Sequence, residues 1–448
     1  MKYLYVTGGD SAGLWPLSTS VRPKQFLKLY ENDVGELDSS VQNLWKQLKQ
    51  LQLEQDVVFV ADWHHSELLK KDCGEKVRIV KEPLHKSTFA AVCLAALYLK
   101  EVELCQEDVW IAILPDDFLM DEAFFQAIQK LPENMMYHDA QLGLLGFKPT
   151  SPNPQSSYID ISPYDTKGPV FPIHQLIEKP STDSAKELIA RGALWNSGAY
   201  VLQLNTILQV LRSYSLPLHY EHFVAHYETL DTTISFESVL LDCVERSIVY
   251  EHDGDWKHIG SWDGVAQQLT TEKIGIGLMK GQSENSHIVN DLLLPIHVVD
   301  VDNIIVAASY EGILITNRKP IYDSVTPSLS QEQLGSYRVL TQFNSREGND
   351  VLVKQIQLSE GEVFSYESYY NRRECWTILE GEGELVLEDV VLHVQAGDVI
   401  HIEIGKYYAL KAYTNMQLME VQIGCSLGGE EVERISVDDS LIGWKSPN

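Results

Sequence analysis

The chain of 448 residues is poor in cysteine and in basic residues, and it contains no long apolar run. Its six cysteines are scattered without Cys-x-x-Cys spacing, which argues against a disulfide framework and predicts reduced thiols in a reducing compartment. Only 35 basic residues stand against 64 acidic ones, and the net charge of −29 excludes nonspecific binding to nucleic acid or to an anionic membrane. Because no stretch approaches the roughly 18 apolar residues of a membrane span, a cytoplasmic location is expected.

The length exceeds what one hydrophobic core usually covers, and 44% of the residues are apolar, so two or three globular domains are expected. Over residues 1–270, short apolar runs alternate with helical patterns, which predicts an α/β domain. The pattern predicts two helices, over Ser39–Leu53 and Phe89–Glu103. The predicted strands are Tyr3–Val6, Val57–Val60, Val77–Val80, Val109–Leu114 and Leu142–Phe147.

The pattern changes after the first domain. Residues 271–340 contain short β-rich pieces, at Leu292–Leu294, His297–Val299 and Gly312–Ile315, which predict a small β linker module. Residues 341–448 contain one short strand pattern after another with turn residues between them, which predicts a sandwich or barrel.

Two features of the first domain point to nucleotide chemistry. Gly8 and Gly9 follow the first predicted strand, so backbone N–H groups of this turn can approach a phosphate, and Lys24 can add positive charge. Asp116 and Asp117 follow the strand pattern that ends at Leu114, a position where α/β sheets bind ligands and where carboxylates can hold a cation. Together these features predict a nucleotide site.

The order of these residues resembles the mannose-1-phosphate guanylyltransferase (GDP-mannose pyrophosphorylase) family, whose loop reads G-G-x-G-x-R-L-W-P-L-S and then P-K-Q-F-L. The C-terminal part resembles the cupin half of bifunctional phosphomannose isomerase/guanylyltransferases, so the resemblance covers nearly the whole chain. It implies a Rossmann-like (GT-A-like) nucleotidyltransferase domain, a β linker module and a β-barrel cupin. It also implies that GTP and mannose 1-phosphate yield GDP-mannose and pyrophosphate with Mg²⁺, in a homo-oligomer or in a pair with a homologue.

The resemblance assigns roles residue by residue. Lys24 and Asp117 take the catalytic positions, and Asp117 also takes a metal position. The sugar-phosphate positions are Glu178 and Lys179, in the E-K-P stretch, and Asn196, in W-N-S-G. The nucleotide-binding positions are Gly8, Gly9, Lys24 and Glu82.

Several positions of the transferase half depart from the family pattern. Ser11 replaces a glycine, and Gly13 replaces an arginine whose loss costs roughly 3 to 4 kcal/mol of transition-state stabilisation. Reduced activity is therefore expected, Gly13→Arg is expected to raise the rate, and Arg22 and Lys86 are candidates to compensate. His258 replaces the second metal aspartate, although imidazole is a poor ligand for Mg²⁺.

The segment over residues 152–158 lacks both glycines of the family's sugar pocket, so a hexose other than mannose is also compatible with the sequence.

The cupin half departs from its family further. Tyr369, Asn371, Cys375 and Tyr408 stand where the family has histidines. Neutral tyrosine and asparagine do not assemble a tight Zn²⁺ or Fe²⁺ site, so no metal is expected in the cupin and no phosphomannose isomerase activity. A structural cupin is expected, used for dimerisation, for a partner, or as a stabilising appendage.

Losses in both halves leave one alternative open. The chain could be a non-catalytic paralogue that binds nucleotide or sugar nucleotide and acts as a regulatory or scaffolding subunit.

Overall fold

The structure, a computed structural model, describes residues 1–8, 12–19, 22–32, 34–84, 86–161, 168–230, 236–255, 257–309, 311–318, 336–344, 350–369, 372–388, 390–424 and 432–434. The chain forms two units, residues 1–326 and 327–448. The finer division at residues 270 and 340 stays a prediction. No helix of the described ranges is long and apolar enough to cross a membrane.

Strands and helices are interspersed through the first unit up to Gln268. The strands are β1 (Lys2–Val6), β2 (Tyr30–Glu31), β3 (Leu37–Asp38), β4 (Val57–Ala61), β5 (Ile79–Lys81), β6 (Trp110–Leu114), β7 (Leu142–Phe147), β8 (Tyr158–Asp160), β9 (Val170–Pro172), β10 (Gln175–Ile177), β11 (Leu194–Gln203), β12 (Ser247–His252), β13 (Lys273–Ile274), β14 (Gly277–Lys280), β15 (His287–Asn290), β16 (Ile296–Val299), β17 (Ile304–Ser309) and β18 (Gly312–Asn317). The α-helices are α1 (Ser40–Gln50), α2 (Trp63–Cys73), α3 (Thr88–Glu101), α4 (Glu122–Tyr137), α5 (Thr182–Ala190), α6 (Leu204–Ser213), α7 (Tyr220–His226), α8 (Phe236–Cys243) and α9 (Trp262–Gln268), with short 3₁₀ turns at Ala12–Leu14, Lys24–Phe26 and Tyr227–Thr229.

A mixed sheet forms the centre of this unit. Its main path runs β5-β4-β1-β6-β11-β7-β12-β9, with β5, β4, β1 and β6 parallel and β11 antiparallel to both neighbours. Because side chains alternate along a strand, Tyr3 and Tyr5 pack with α1 and α4 on one face, while Leu4 packs with α3 and α6 on the other. The result is a three-layer α/β domain, as predicted.

The two helices and five strands predicted for the first domain are each observed to within a few residues, and its other elements were not predicted. The predicted strand Leu142–Phe147 coincides with β7, and the helix predicted over Phe89–Glu103 is observed as α3. Ser87 starts α3 by accepting a hydrogen bond from the backbone N–H of Ala90, the usual use of serine at a helix N-terminus. Nearly every residue of α3 is buried, because the helix lies between the sheet and α6 and α7.

The β module of the first unit is built mostly from parallel strands. β13, β15 and β17 are parallel, β18 joins them antiparallel, and β14 pairs with β16. The strand predicted over Leu292–Leu294 is wrong. Asn290 holds this segment as a turn, accepting from the N–H of Leu292 and donating to the carbonyl of Leu294.

The β module packs against the glycine-rich loop. Leu14 and Leu17 share a buried cluster with Trp262 of α9 and with Ile305 and Leu314 of the module. The Ser309 hydroxyl donates to the carbonyl of Pro16 at 2.6 Å, and the Trp262 indole donates to the carbonyl of Trp15 at 2.8 Å. The module therefore buttresses the loop that precedes Lys24.

The second unit contains two antiparallel sheets with an apolar core, in agreement with the predicted β barrel. Their orders are β19-β20-β27-β22-β25 and β24-β23-β26-β21-β28. Ile356 and Trp376 from one sheet and Leu385 and Leu410 from the other lie in that core. The strands are β19 (Ser336–Asn344), β20 (Asp350–Leu358), β21 (Val363–Tyr369), β22 (Arg372–Glu380), β23 (Glu382–Leu387), β24 (Val390–Gln395), β25 (Val399–Ile402), β26 (Tyr408–Ala412), β27 (Met416–Gly424) and β28 (Val432–Arg434).

Candidate active site

A cavity of about 230 Å³ lies at the carboxyl ends of β1 and β6. This is where open α/β sheets bind ligands, because the loops that follow adjacent parallel strands meet at one edge of the sheet. Three of the sequence-predicted site residues line it: Gly8, Glu82 and Asp117. Further lining residues are Lys86, Ser87, Thr88, Asp116, Gly198, Tyr200 and Phe236.

Asp116 links Lys24 to the cavity wall. The Lys24 ammonium lies 3.4 Å from Asp116 Oδ2, and its side chain is largely buried. Burial raises the pKa of Asp116 and Asp117 adds to this, while Lys24 offsets part of the effect. The lysine predicted as catalytic is thus held at the cavity by a carboxylate.

Gln25 is a site residue that the sequence reasoning missed. Its fully buried amide donates to the Gly8 carbonyl at 2.7 Å and to Asp116 Oδ2 at 2.7 Å. It ties the glycine turn to the carboxylate pair, which a buried amide can do without adding charge. The signal was present, since Gln25 lies inside the P-K-Q-F-L stretch beside Lys24.

His258 faces Asp117, and both stand where the resemblance places metal ligands. The Nε2 atom of His258 lies 3.3 Å from Asp117 Oδ2. Backbone contacts fix this arrangement: Phe118 and His258 form an antiparallel bridge, and the N–H of Ile259 donates to the Asp117 carbonyl at 2.8 Å. Burial by itself raises the pKa of Asp117, but the His258 contact and the Lys24 charge together lower it below its usual range.

The described residues hold only part of a metal site. No group of three or more His, Cys, Asp or Glu side chains in the described ranges is arranged to hold an ion. Asp117 keeps its carboxylate charge and a side chain 38% exposed. One carboxylate plus phosphate oxygens of a substrate is a common way to hold Mg²⁺, so Asp117 fits this ion, whereas the His258 imidazole does not.

The glycine-rich loop differs from expectation at Gly13. Gly8 has a φ of 122°, a conformation that favours glycine, while Gly9 and Ser11 lie outside the described residues. A Cβ atom added at Gly13 would lie 2.0 Å from the backbone oxygen of Gly260. The structure therefore argues against the expected benefit of Gly13→Arg, because the side chain would displace the segment that carries His258.

Of the two proposed substitutes for the missing arginine, Lys86 lies at the cavity and Arg22 does not. Arg22 donates to Asp291 at 2.8 Å and to the Leu17 carbonyl, and it lines a different cavity. Lys86 lines the cavity, but its ammonium donates to the carbonyls of Glu228 and Leu230 at 2.6 and 3.1 Å.

Glu82 lies in the cavity wall as a buried carboxylate. It accepts hydrogen bonds from the Tyr227 hydroxyl at 2.6 Å and from the N–H of Lys86 at 2.9 Å. These bonds hold the start of α3 and the turn at Tyr227 together beside the cavity.

Strand pairing brings the three predicted sugar-phosphate residues near one another. Glu178 and Lys179 follow β10, whose Ile177 pairs with Tyr158 of β8, and Tyr158 also pairs with Trp195, the neighbour of Asn196. Asn196 lies on β11, where its amide donates to the Tyr200 hydroxyl at 2.8 Å and its oxygen accepts from the N–H of Gly198. Tyr200 and Gly198 line the cavity, so Asn196 is hydrogen-bonded to two residues of its lining. Glu178 and Lys179 are exposed on the loop after β10 and are not among the residues that line it.

The interior of the second unit contains a polar cluster, formed by Lys354, Arg372, Glu374, Trp376, Tyr408, Glu420 and Gln422. Glu374 Oε2 accepts from the Tyr408 hydroxyl at 2.9 Å and from the Trp376 indole at 3.3 Å. Its Oε1 accepts from Arg372 and Gln422. Burial, together with Glu420, raises the pKa of Glu374 to about 8. Tyr408, which stands where the family pattern has a histidine, thus donates to the Glu374 carboxylate. Asn371 lies outside the described residues.

Comparison with known proteins agrees with this organisation. Residues 4–272 match the nucleotidyl transferase family, and residues 328–437 match the family described as mannose-6-phosphate isomerase C-terminal. Proteins named mannose-1-phosphate guanylyltransferase from Klebsiella pneumoniae and Escherichia coli K12 are each 24% identical over 96% of this chain and 97% of their own. A solved structure from Thermus thermophilus, described as a mannose-1-phosphate geranyltransferase, has a TM-score of 0.52 at 22% identity and covers 71% of this chain and 95% of its own.

Proposed function

Because the chain belongs to the nucleotidyl transferase family, we propose that it is a mannose-1-phosphate guanylyltransferase, converting GTP and mannose 1-phosphate into GDP-mannose and pyrophosphate. Relatives of that name align with 96% of the chain. The observation that carries the proposal is the cavity where Lys24, Asp116 and Asp117 meet the glycine turn.

In the reaction, an oxygen of the sugar phosphate attacks the α-phosphorus of GTP, and the bond from that phosphorus to the bridging oxygen of pyrophosphate breaks. Lys24, held by Asp116, stabilises the negative charge that moves onto pyrophosphate. Gly8 and Gly9 offer backbone N–H groups to the phosphates. A bound Mg²⁺ supplies charge neutralisation at the phosphate oxygens, and Asp117 is the residue that would hold it.

The remaining assignments concern substrate binding. Glu82 and its hydrogen-bonded partners form the wall on which the nucleotide lies. Asn196, oriented by Tyr200 and the N–H of Gly198, binds sugar hydroxyls next to the cavity. Glu178 and Lys179, exposed on the loop after β10, contact the sugar phosphate from beside the cavity.

We place the enzyme in the cytoplasm, where nucleoside triphosphates are made, and the free thiols Cys73, Cys93, Cys105, Cys243 and Cys375 are consistent with this. We also propose that it self-associates or pairs with a homologue, as the related bifunctional enzymes suggest.

Pyrophosphate release from the purified full chain tests the activity. Each nucleoside triphosphate is combined with mannose or glucose 1-phosphate in Mg²⁺, and GTP with mannose 1-phosphate is expected to give the highest rate. Asp117→Asn should lower that rate about a hundred- to thousandfold, while Asp183→Asn, an exposed surface carboxylate, should not. GTP binding without turnover under every condition would favour the non-catalytic alternative.

A further inference from the structure

His258 is placed to do more than pair with Asp117. The two side chains extend from neighbouring loop segments joined by the Phe118–His258 bridge and by two backbone hydrogen bonds, from Ile259 to Asp117 and from Leu119 to Lys257. Gly260, two residues after His258, is packed closely against Gly13. The imidazole is therefore held opposite the carboxylate by backbone on both sides.

The spacing of the two groups matches neighbouring ligands of one ion. Their facing atoms, His258 Nε2 and Asp117 Oδ2, are 3.3 Å apart. In an octahedral site with metal–ligand bonds of about 2.1 Å, adjacent donor atoms lie about 3 Å apart. Both side chains are partly exposed, and Asp117 lines the cavity, so the side of the pair that an ion would approach is open.

The chemistry of this donor pair differs from that of two carboxylates. Mg²⁺ prefers oxygen, whereas divalent first-row transition ions accept imidazole nitrogen together with carboxylate and phosphate oxygens. Exchanging a carboxylate for a neutral imidazole also removes one negative charge from the site. This lowers the affinity for Mg²⁺ more than the affinity for a transition ion, because the transition ion gains a bond to nitrogen.

We propose that His258 Nε2 and Asp117 Oδ2 together bind a divalent first-row transition ion such as Mn²⁺, and that this pair shifts the preference of the site away from Mg²⁺. The inference rests on the proposed function, because phosphate oxygens of the bound nucleotide supply the other ligands.

Pulsed electron paramagnetic resonance of Mn²⁺ tests this directly. The full chain is saturated with Mn²⁺ and a non-hydrolysable GTP analogue, and the electron spin echo is examined for modulation by a ¹⁴N nucleus bound to the ion. Modulation is expected in the wild type, and growth on ¹⁵N-histidine should convert it to the ¹⁵N pattern. It should vanish in His258→Asp and persist in His174→Asp, which alters an exposed histidine.

Competition between the two ions gives a second readout. The Mg²⁺ concentration that displaces half of the bound Mn²⁺ should fall on the order of tenfold in His258→Asp. Bound Mn²⁺ without nitrogen modulation in the wild type would overturn the inference and leave the proposed function standing. If no complex of protein, Mn²⁺ and nucleotide forms, the proposed function fails and the inference fails with it.

Discussion

The transferase cavity and the interior of the cupin both carry other residues where the family pattern has metal ligands. The replaced position is open to solvent in the cavity and enclosed in the cupin. In the cavity, His258 faces an Asp117 side chain that is 38% exposed, so a ligand can still reach the pair. In the cupin, Glu374 is 1% exposed and hydrogen bonds from Tyr408, Trp376 and neighbouring polar groups use both of its oxygens. At His258, solvent still reaches the replaced position, so a ligand can bind there. At Tyr408, the barrel encloses the replaced position, and the polar groups hydrogen-bond to one another.

The largest expected effect is on turnover at the transferase cavity. Lys24→Met should lower the rate of pyrophosphate release about a hundred- to thousandfold, because it removes the cation that Asp116 holds at the cavity. Lys186→Met, at an exposed lysine of α5, serves as the control and should leave the rate unchanged. A Lys24→Met enzyme with wild-type turnover would show that the cavity is not where the chemistry occurs.

The second prediction concerns the cupin and pH. The pKa of Glu374 is raised from 4.5 to about 8 in the folded chain, so folding takes up a proton over this interval. The stability contributed is full below about pH 4.5 and is lost as pH rises through 8, a change of up to about 5 kcal/mol. Thermal unfolding of the full chain between pH 5 and 8 should show it as a falling midpoint.

Glu374→Gln should flatten this dependence, because the amide does not titrate. Glu360→Gln, at an exposed position of the same unit, should keep the wild-type slope. An equal slope in wild type and Glu374→Gln would mean that Glu374 does not hold the proton.

The third prediction concerns Gly13, in the loop that packs against the segment carrying His258. Gly13→Ala should lower the free energy of unfolding by about 1 to 3 kcal/mol, because its Cβ meets the Gly260 oxygen. Turnover should fall as His258 shifts, and Gly13→Arg should behave no better. A faster Gly13→Arg enzyme would restore the interpretation drawn from the family pattern.

The smallest expected effect is on the cupin side. Added Zn²⁺ should neither raise the unfolding temperature of the second unit nor produce isomerisation of mannose 6-phosphate, because Tyr408 donates to Glu374 where a metal would need a lone pair. Measurable isomerisation with Zn²⁺ would show that the polar cluster opens to form a metal site.

Local patterns in the sequence were sufficient for most of the architecture. β7 and α3 could be located because apolar residues at strand or helix spacing are a property of neighbouring residues. The prediction for Leu292–Leu294 was wrong for the same reason. Three consecutive leucines favour a strand, but hydrogen bonds of the Asn290 side chain hold them as a turn. Gln25 was missed because its two partners, Gly8 and Asp116, lie 17 and 91 residues away.

The sequence by itself determined the α/β transferase architecture, the β-rich C-terminal half and the motif residues Lys24 and Asp117, because each is encoded in short-range order. Only the tertiary structure decided that Gly13 lies against Gly260, that His258 lies 3.3 Å from Asp117, and that Glu178 and Lys179 are not among the residues that line the cavity. The reason is physical: packing and hydrogen-bond partners depend on distances between residues far apart along the chain, which strand order and loop paths set.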